Sequence, residues 1–173
     1  MTFKTLLAIL LLSAPAFAAE PTEPVREVMA VTENNWAEGA SDYEPLFSDK
    51  RLSRLFSADF QALYAEAMET PYAAEAGSPF DYDVVTNAQD GCPLENVMIS
   101  PPTRDGAATH VTVEFQSFAC MGDADEYQIF STARFTLVEE DGVARIDDIL
   151  ATNPDGIAIS AKEQLQAVID TEE

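Results

Sequence analysis

The sequence predicts an α+β fold: N-terminal helices packed on a curved antiparallel meander of four strands, with one short helix to close. Apolar residues recur at helical spacing as far as Met68. From residue 95 onward they alternate with polar ones, which is the period of a half-buried strand. Ser160-Ala161-Lys162-Glu163 then matches a capping box and reopens helical spacing. Helices gathered on one side of a sheet give this order a common core.

Residues 1–18 are laid out as a cleavable export signal. Lys4 supplies the positive end, residues 6–12 the short apolar run, and Ala16-Phe17-Ala18 the small-x-small pattern, so the cut is expected after Ala18. The run falls well short of the ~20 apolar residues that span a bilayer, and no membrane span is expected downstream. No cysteine follows it, which argues against a lipoprotein. The expected location is periplasmic or secreted, and residues 19–173 are expected to form one domain.

Each element of that domain has a local reason. Residues 22–36 read as a helix, with Pro24 in the first turn and Val25, Val28, Met29, Thr32 and Trp36 on one stripe. Ser48 is placed to cap a short helix presenting Leu52, Leu55 and Phe56. Ser57 is placed to cap another, presenting Phe60, Leu63, Tyr64, Ala67 and Met68, with Pro71 as its stop. Residues 70–94 read as irregular, a long connection rich in Pro, Gly, Asp and Asn. Strands follow over 95–100, 108–119, 126–139 and 143–151, joined by turns at Asp105-Gly106, Gly122-Asp123-Ala124-Asp125 and Asp141-Gly142. The closing helix sets Leu165, Val168 and Ile169 on one side.

The chain of 173 residues carries nine basic residues against 31 acidic ones, a formal net charge of −22, and losing Lys4 makes it one unit more negative. Such a surface repels nucleic acid and anionic membranes. It suits solubility first and a basic partner second. The two cysteines, Cys92 and Cys120, both fall in the exported part, where an even count suggests a disulfide. Two thiols and the single His110 do not make a structural zinc site, and no metal or cofactor is expected.

Turn geometry sets an expected register. A tip at Asp105-Gly106 places Cys92 opposite Ala119, and one bulge would join Cys92 to Cys120. Closing that loop stabilises by roughly 3–4 kcal/mol in the chain-entropy model. Matching the apolar faces pairs Val111 with Leu137 and Ile146, Val113 with Phe135 and Asp148, and Phe115 with Ala133 and Leu150. Glu114 and Arg134 then form a cross-strand ion pair, and Asp148 lands on the apolar face.

Ser78-Pro79-Phe80 and Ala88-Gln89-Asp90 before the first sheet strand, Arg145-Ile146-Asp147-Asp148-Ile149 on the last, and a closing helix with Leu165 form a pattern. The pattern resembles small exported bacterial proteins of unknown function in the cone-shaped superfamily of nuclear transport factor 2, ketosteroid isomerase and polyketide cyclases. Ala144 stands where that superfamily has a tryptophan. The resemblance implies a cone-like fold, and it leaves three functional readings open. The leading one is a non-catalytic binding module for a small molecule or a basic protein, monomeric or homodimeric, using Phe80, Tyr82, Gln89 and Asp90. The second is an isomerase-, hydratase- or cyclase-type enzyme with Asp148 as base and Tyr82, Tyr127 or Asp90 in support. The third is an acidic inhibitor or immunity protein for a basic periplasmic enzyme. Against the second, Asp148 is favoured to accept backbone hydrogen bonds from a nearby helix start or loop. His110 is favoured as an ordinary surface residue. Asp123, Asp125 and Glu126 lack the spacing of a calcium loop and are favoured as a solvated turn. Asp81 and Asp83, with Tyr72, complete an acidic, aromatic loop beside Cys92, where Phe80 and Tyr82 are favoured to plug the sheet's open end.

Overall fold

The computed structural model describes residues 20–171, so the export signal expected over 1–18 lies outside the described residues. Four helices come first: α1 (Glu23–Asn35), α2 (Asp49–Leu55), α3 (Ala58–Met68) and α4 (Pro71–Ala76). Six strands follow: β1 (Glu95–Ile99), β2 (Thr103–Asp105), β3 (Ala108–Gln116), β4 (Ser131–Glu140), β5 (Val143–Thr152) and β6 (Ala158–Ser160). Helix α5 (Ala161–Thr171) closes the chain. The fold is α+β with one antiparallel sheet in the order β1-β3-β4-β5-β6, and β2 also pairs with β3. None of the described helices is long and apolar enough to cross a membrane.

Two strands and one helix exceed the expectation from sequence. Strands β2 and β6 have only three residues each, too few for alternation to register. Helix α4 occupies part of the connection expected to be irregular. Pro71 starts it rather than merely ending α3, because a missing N–H costs nothing in the first turn. Thr70 accepts from the Ala73 N–H at 3.3 Å, and Gly77 ends the helix at φ +77°. The Gly122–Asp125 turn is also longer than expected: residues 117–130 make two short 3-10 turns, at Ala119–Met121 and Asp125–Tyr127.

The core lies between the helices and one face of the sheet. Val25, Val28 and Met29 of α1, Phe60 of α3 and Leu165 of α5 are shut off from solvent. They meet Val111, Val113, Phe115, Phe135, Leu137, Ile146 and Ile149 of the sheet in one cluster. Helices α1, α2, α3 and α5 all pack on β5.

The register corrects several expected neighbours. The first hairpin turns at Gly106-Ala107, with Asp105 opposite Ala108, and a shift along β1 restores Glu95 to Gln116, the pairing that the expected register gives. Val111 faces Phe135, Val113 faces Ala133, and Thr109 faces Leu137. Glu114 therefore lies opposite Thr132 and Arg134 opposite Thr112, and no Glu114–Arg134 ion pair forms.

The largest correction is at β5. Near the turn Leu137 pairs with Ile146, as expected, but a bulge then lets Thr136 pair with Asp148 and Phe135 with Ile149. One extra residue in a strand of period two exchanges the faces of everything beyond it. Ile149 takes the core position expected for Asp148, and Leu150 leaves the apolar face. Fully burying an isoleucine stabilises by about 1.5–3 kcal/mol, whereas an unpaired carboxylate there costs several.

Candidate functional site

Residues 78–91 fold back on the helices and are held at both ends. At the start, Phe80 is 7% exposed and joins an aromatic cluster, its ring centroid 5.2 Å from Phe47 and 6.1 Å from Tyr82. In the middle, Asp83 and Ala88 close a tight loop: the Asp83 N–H donates to the Ala88 carbonyl at 3.0 Å. The Asp83 Oδ1 accepts from the N–H groups of Val85 (2.9 Å) and Thr86 (3.0 Å), a turn that short polar side chains favour. That loop drives Val84 and Val85 into the core.

At the far end, Cys92 and Cys120 form a disulfide with their Cα atoms 5.6 Å apart. The 3-10 turn at Ala119–Met121, rather than a bulge beside Cys92, brings Cys120 round, and Cys92 also donates its N–H to the Ser117 carbonyl at 2.8 Å. Gly91 needs its lack of a side chain. A Cβ there would lie 2.6 Å from the Trp36 ring and 2.8 Å from the Ser117 carbonyl oxygen.

Between this segment, the end of α1 and the loop after it lies a cleft of about 860 Å³. Trp36 ends α1, and its indole Nε1–H donates to Asp83 Oδ2 at 3.2 Å, so helix and loop share one wall. The loop after α1 is closed by Asn35, whose side-chain amide pairs both ways with the Glu44 backbone (2.9 and 2.8 Å). Phe47, Tyr64, Phe80 and Tyr82 give the cleft an aromatic side. Asp81, Asp83 and Asp90 give it an acidic one.

All four residues singled out in the sequence line this cleft: Phe80, Tyr82, Gln89 and Asp90. Their conditions differ. Gln89 spends its amide donor on the Asp81 carbonyl at 3.0 Å. Asp90 is exposed, and its carboxylate makes no hydrogen bond or ion pair among the described residues. The Tyr82 hydroxyl is closed off from solvent with no hydrogen-bond partner in the protein. Burial, with the charge of Asp81 adding to it, pushes the Tyr82 phenol up to about 12, so it keeps its proton across the neutral range. Tyr72 is exposed and lies apart from the cleft.

Asp148 lies elsewhere. Its Oδ2 accepts from the Ser160 hydroxyl at 2.7 Å, and its Oδ1 from the N–H groups of Ile149 (2.8 Å) and Lys162 (3.1 Å). Both oxygens are thus spent on the start of α5, where a helix exposes unpaired N–H groups. Its neighbour Asp147 accepts from Ser57 Oγ at 2.7 Å and from Lys162 Nζ at 3.1 Å. Ser57 in turn caps α3 through the Phe60 N–H at 3.0 Å. The bulge therefore turns two adjacent aspartates into ties for two helix starts. Neither lines the cleft, so Asp148 is not brought together with Tyr82 or Asp90.

His110 sits opposite Thr136, its Nδ1 3.3 Å from the Thr136 hydroxyl. Asp123, Asp125 and Glu126 are exposed around the 3-10 turns, and Tyr127 is part-buried there. Among the described residues, no group of three or more His, Cys, Asp or Glu side chains is placed to hold a metal ion.

Sequence reasoning missed the other half of the cleft. Trp36 falls on the expected helix stripe, and only its bond to Asp83 shows that it faces the loop. Asn35, Tyr43 and Phe47 carry no comparable signal. In comparison with known proteins, no family model, no curated protein and no solved structure matches this chain.

Proposed function

We propose that this chain is an exported, non-catalytic binding module with a cone-like fold, and that its ligand sits in the cleft between the end of α1 and residues 78–91. One observation carries the reading: the residues singled out from sequence, Phe80, Tyr82, Gln89 and Asp90, line a single concavity of about 860 Å³. That volume is within the range of small-molecule pockets, and its lining sets aromatic rings against polar side chains. The disulfide at Cys92–Cys120 supports it too: it braces one end of the loop, and an exported chain would keep it in an oxidising compartment. The engagement of both Asp148 oxygens by α5 supports binding over acid–base chemistry at that residue.

The test is a comparison of amide and indole NMR spectra of the purified protein with and without small molecules extracted from its native export compartment. Shifts confined to residues 35–47 and 78–91, the Trp36 indole among them, are expected. Shifts centred on residues 147–163 instead would overturn the assignment of the site.

A further inference from the structure

We infer that the cleft selects an organic cation: an amine carried on an apolar body, its charge held between the acidic rim and the aromatic wall. This rests on the binding reading and names the ligand class. The charge complementarity is one-sided, because three carboxylates line the cleft and no Lys, Arg or His does. The three are not equivalent. Asp83 is consumed by Val85, Thr86 and Trp36. Asp81 and Asp90 keep their carboxylates free of ion pairs and hydrogen bonds among the described residues. Two free carboxylates on the rim of a concave, low-dielectric wall focus a negative potential into it.

The wall suits the same guest. Trp36, Tyr43, Tyr64 and Phe80 present ring surface to the cleft, and ring faces attract ammonium groups while their edges pack an apolar body. A carboxylate ligand would meet repulsion on the rim and no positive group within. A neutral one would leave the rim unused. The cleft's volume favours a compact guest over an extended basic chain.

Trp36 is the only tryptophan of the chain, so its fluorescence reports on the cleft alone. The probes are 4-phenylbutylamine, 4-phenylbutan-1-ol and 4-phenylbutyrate, which share one body and differ in charge, with tetralysine as a basic peptide. The amine is expected to bind about tenfold tighter than the alcohol, with no saturable response to the anion. The double variant Asp81→Asn, Asp90→Asn is expected to erase the difference between amine and alcohol while circular dichroism stays unchanged. Raised salt should weaken the amine and leave the alcohol alone. Alcohol or anion binding as tightly as the amine would overturn the cation inference and leave the binding reading standing. Tetralysine binding where the amine does not would overturn it in favour of a protein partner. No response of Trp36 to any of the four would count against both.

Discussion

Two regions of this molecule are built from the same polar residue types and use them in opposite ways. At the β5 bulge, Asp147 and Asp148 meet Ser57, Ser160, Lys162 and backbone N–H groups, and every carboxylate oxygen has at least one partner. At the cleft, Asp81 and Asp90 have none among the described residues, and the Tyr82 hydroxyl is buried without one. A partnered polar group contributes net stability of about 1 kcal/mol, and one left unpaired underground costs more than that. The bulge region therefore holds the fold, while the cleft carries polar capacity that folding does not use. The aspartates spent on the fold and the aspartates left free are thus separated in space.

The sharpest way to break that contrast is at the disulfide, which bounds the cleft loop. Replacing Cys92 and Cys120 by alanine together should cost about 3–4 kcal/mol. Thermal melting monitored by circular dichroism measures it, and an unchanged melting temperature would mean that residues 78–91 are held without the bridge. Asp148→Ala comes next. It strips partners from Ser160 and the Lys162 N–H at once and should cost about 2–3 kcal/mol, read in urea midpoints, with the Trp36 emission of the native state unaltered. Gly91→Ala should cost about 1–3 kcal/mol through overpacking against Trp36 and Ser117. Unlike Asp148→Ala, it should shift Trp36 emission before unfolding.

The smallest effect is expected at Tyr82. Tyr82→Phe removes a buried hydroxyl with no protein partner, so stability should rise, by about 1 kcal/mol. The same residue gives the contrast a pH axis. A phenol raised to about 12 in the fold, against its ordinary value near 10, favours the folded state fully below pH 10. As pH rises through 10 towards 12 the unfolded chain ionises first, and that contribution is lost. Alkaline denaturation of the wild type should therefore be steeper than that of Tyr82→Phe over this window, and coincident curves would show that Tyr82 is not the group responsible.

Sequence reasoning reached the elements whose causes are local. Helices α1 and α3 were legible because apolar spacing and the Ser57 cap act within a few residues. The parity of β3 against β4 was legible because three apolar residues on each strand have to share a face. What escaped depends on contacts distant in sequence. Nothing between Arg145 and Ile149 announces a bulge; it is decided by Ser57 and by the start of α5, which draw the two aspartates toward them. The same holds for the site. The acidic, aromatic loop of residues 78–92 stood out by composition, but its opposite wall is a helix end and a loop brought there by Trp36 and Asn35. The connection after β3 is longer than a tight turn because its first 3-10 turn carries Cys120 to the disulfide, a contact distant in sequence.

The bulge also sets how this chain tolerates changes of length. The bulge is one residue that β4 does not match, so a strand one residue shorter would join the two halves of β5 in plain alternation. Deleting Asp147 would keep Asp148 opposite Thr136 and Ile149 in the core, so α5 would keep its tie to Asp148 while α3 lost the one from Ser57 to Asp147. Deleting a residue further along the strand would instead exchange the faces of everything beyond it. Lineages carrying this strand should accept the loss of one residue at the bulge more readily than a loss elsewhere along β5.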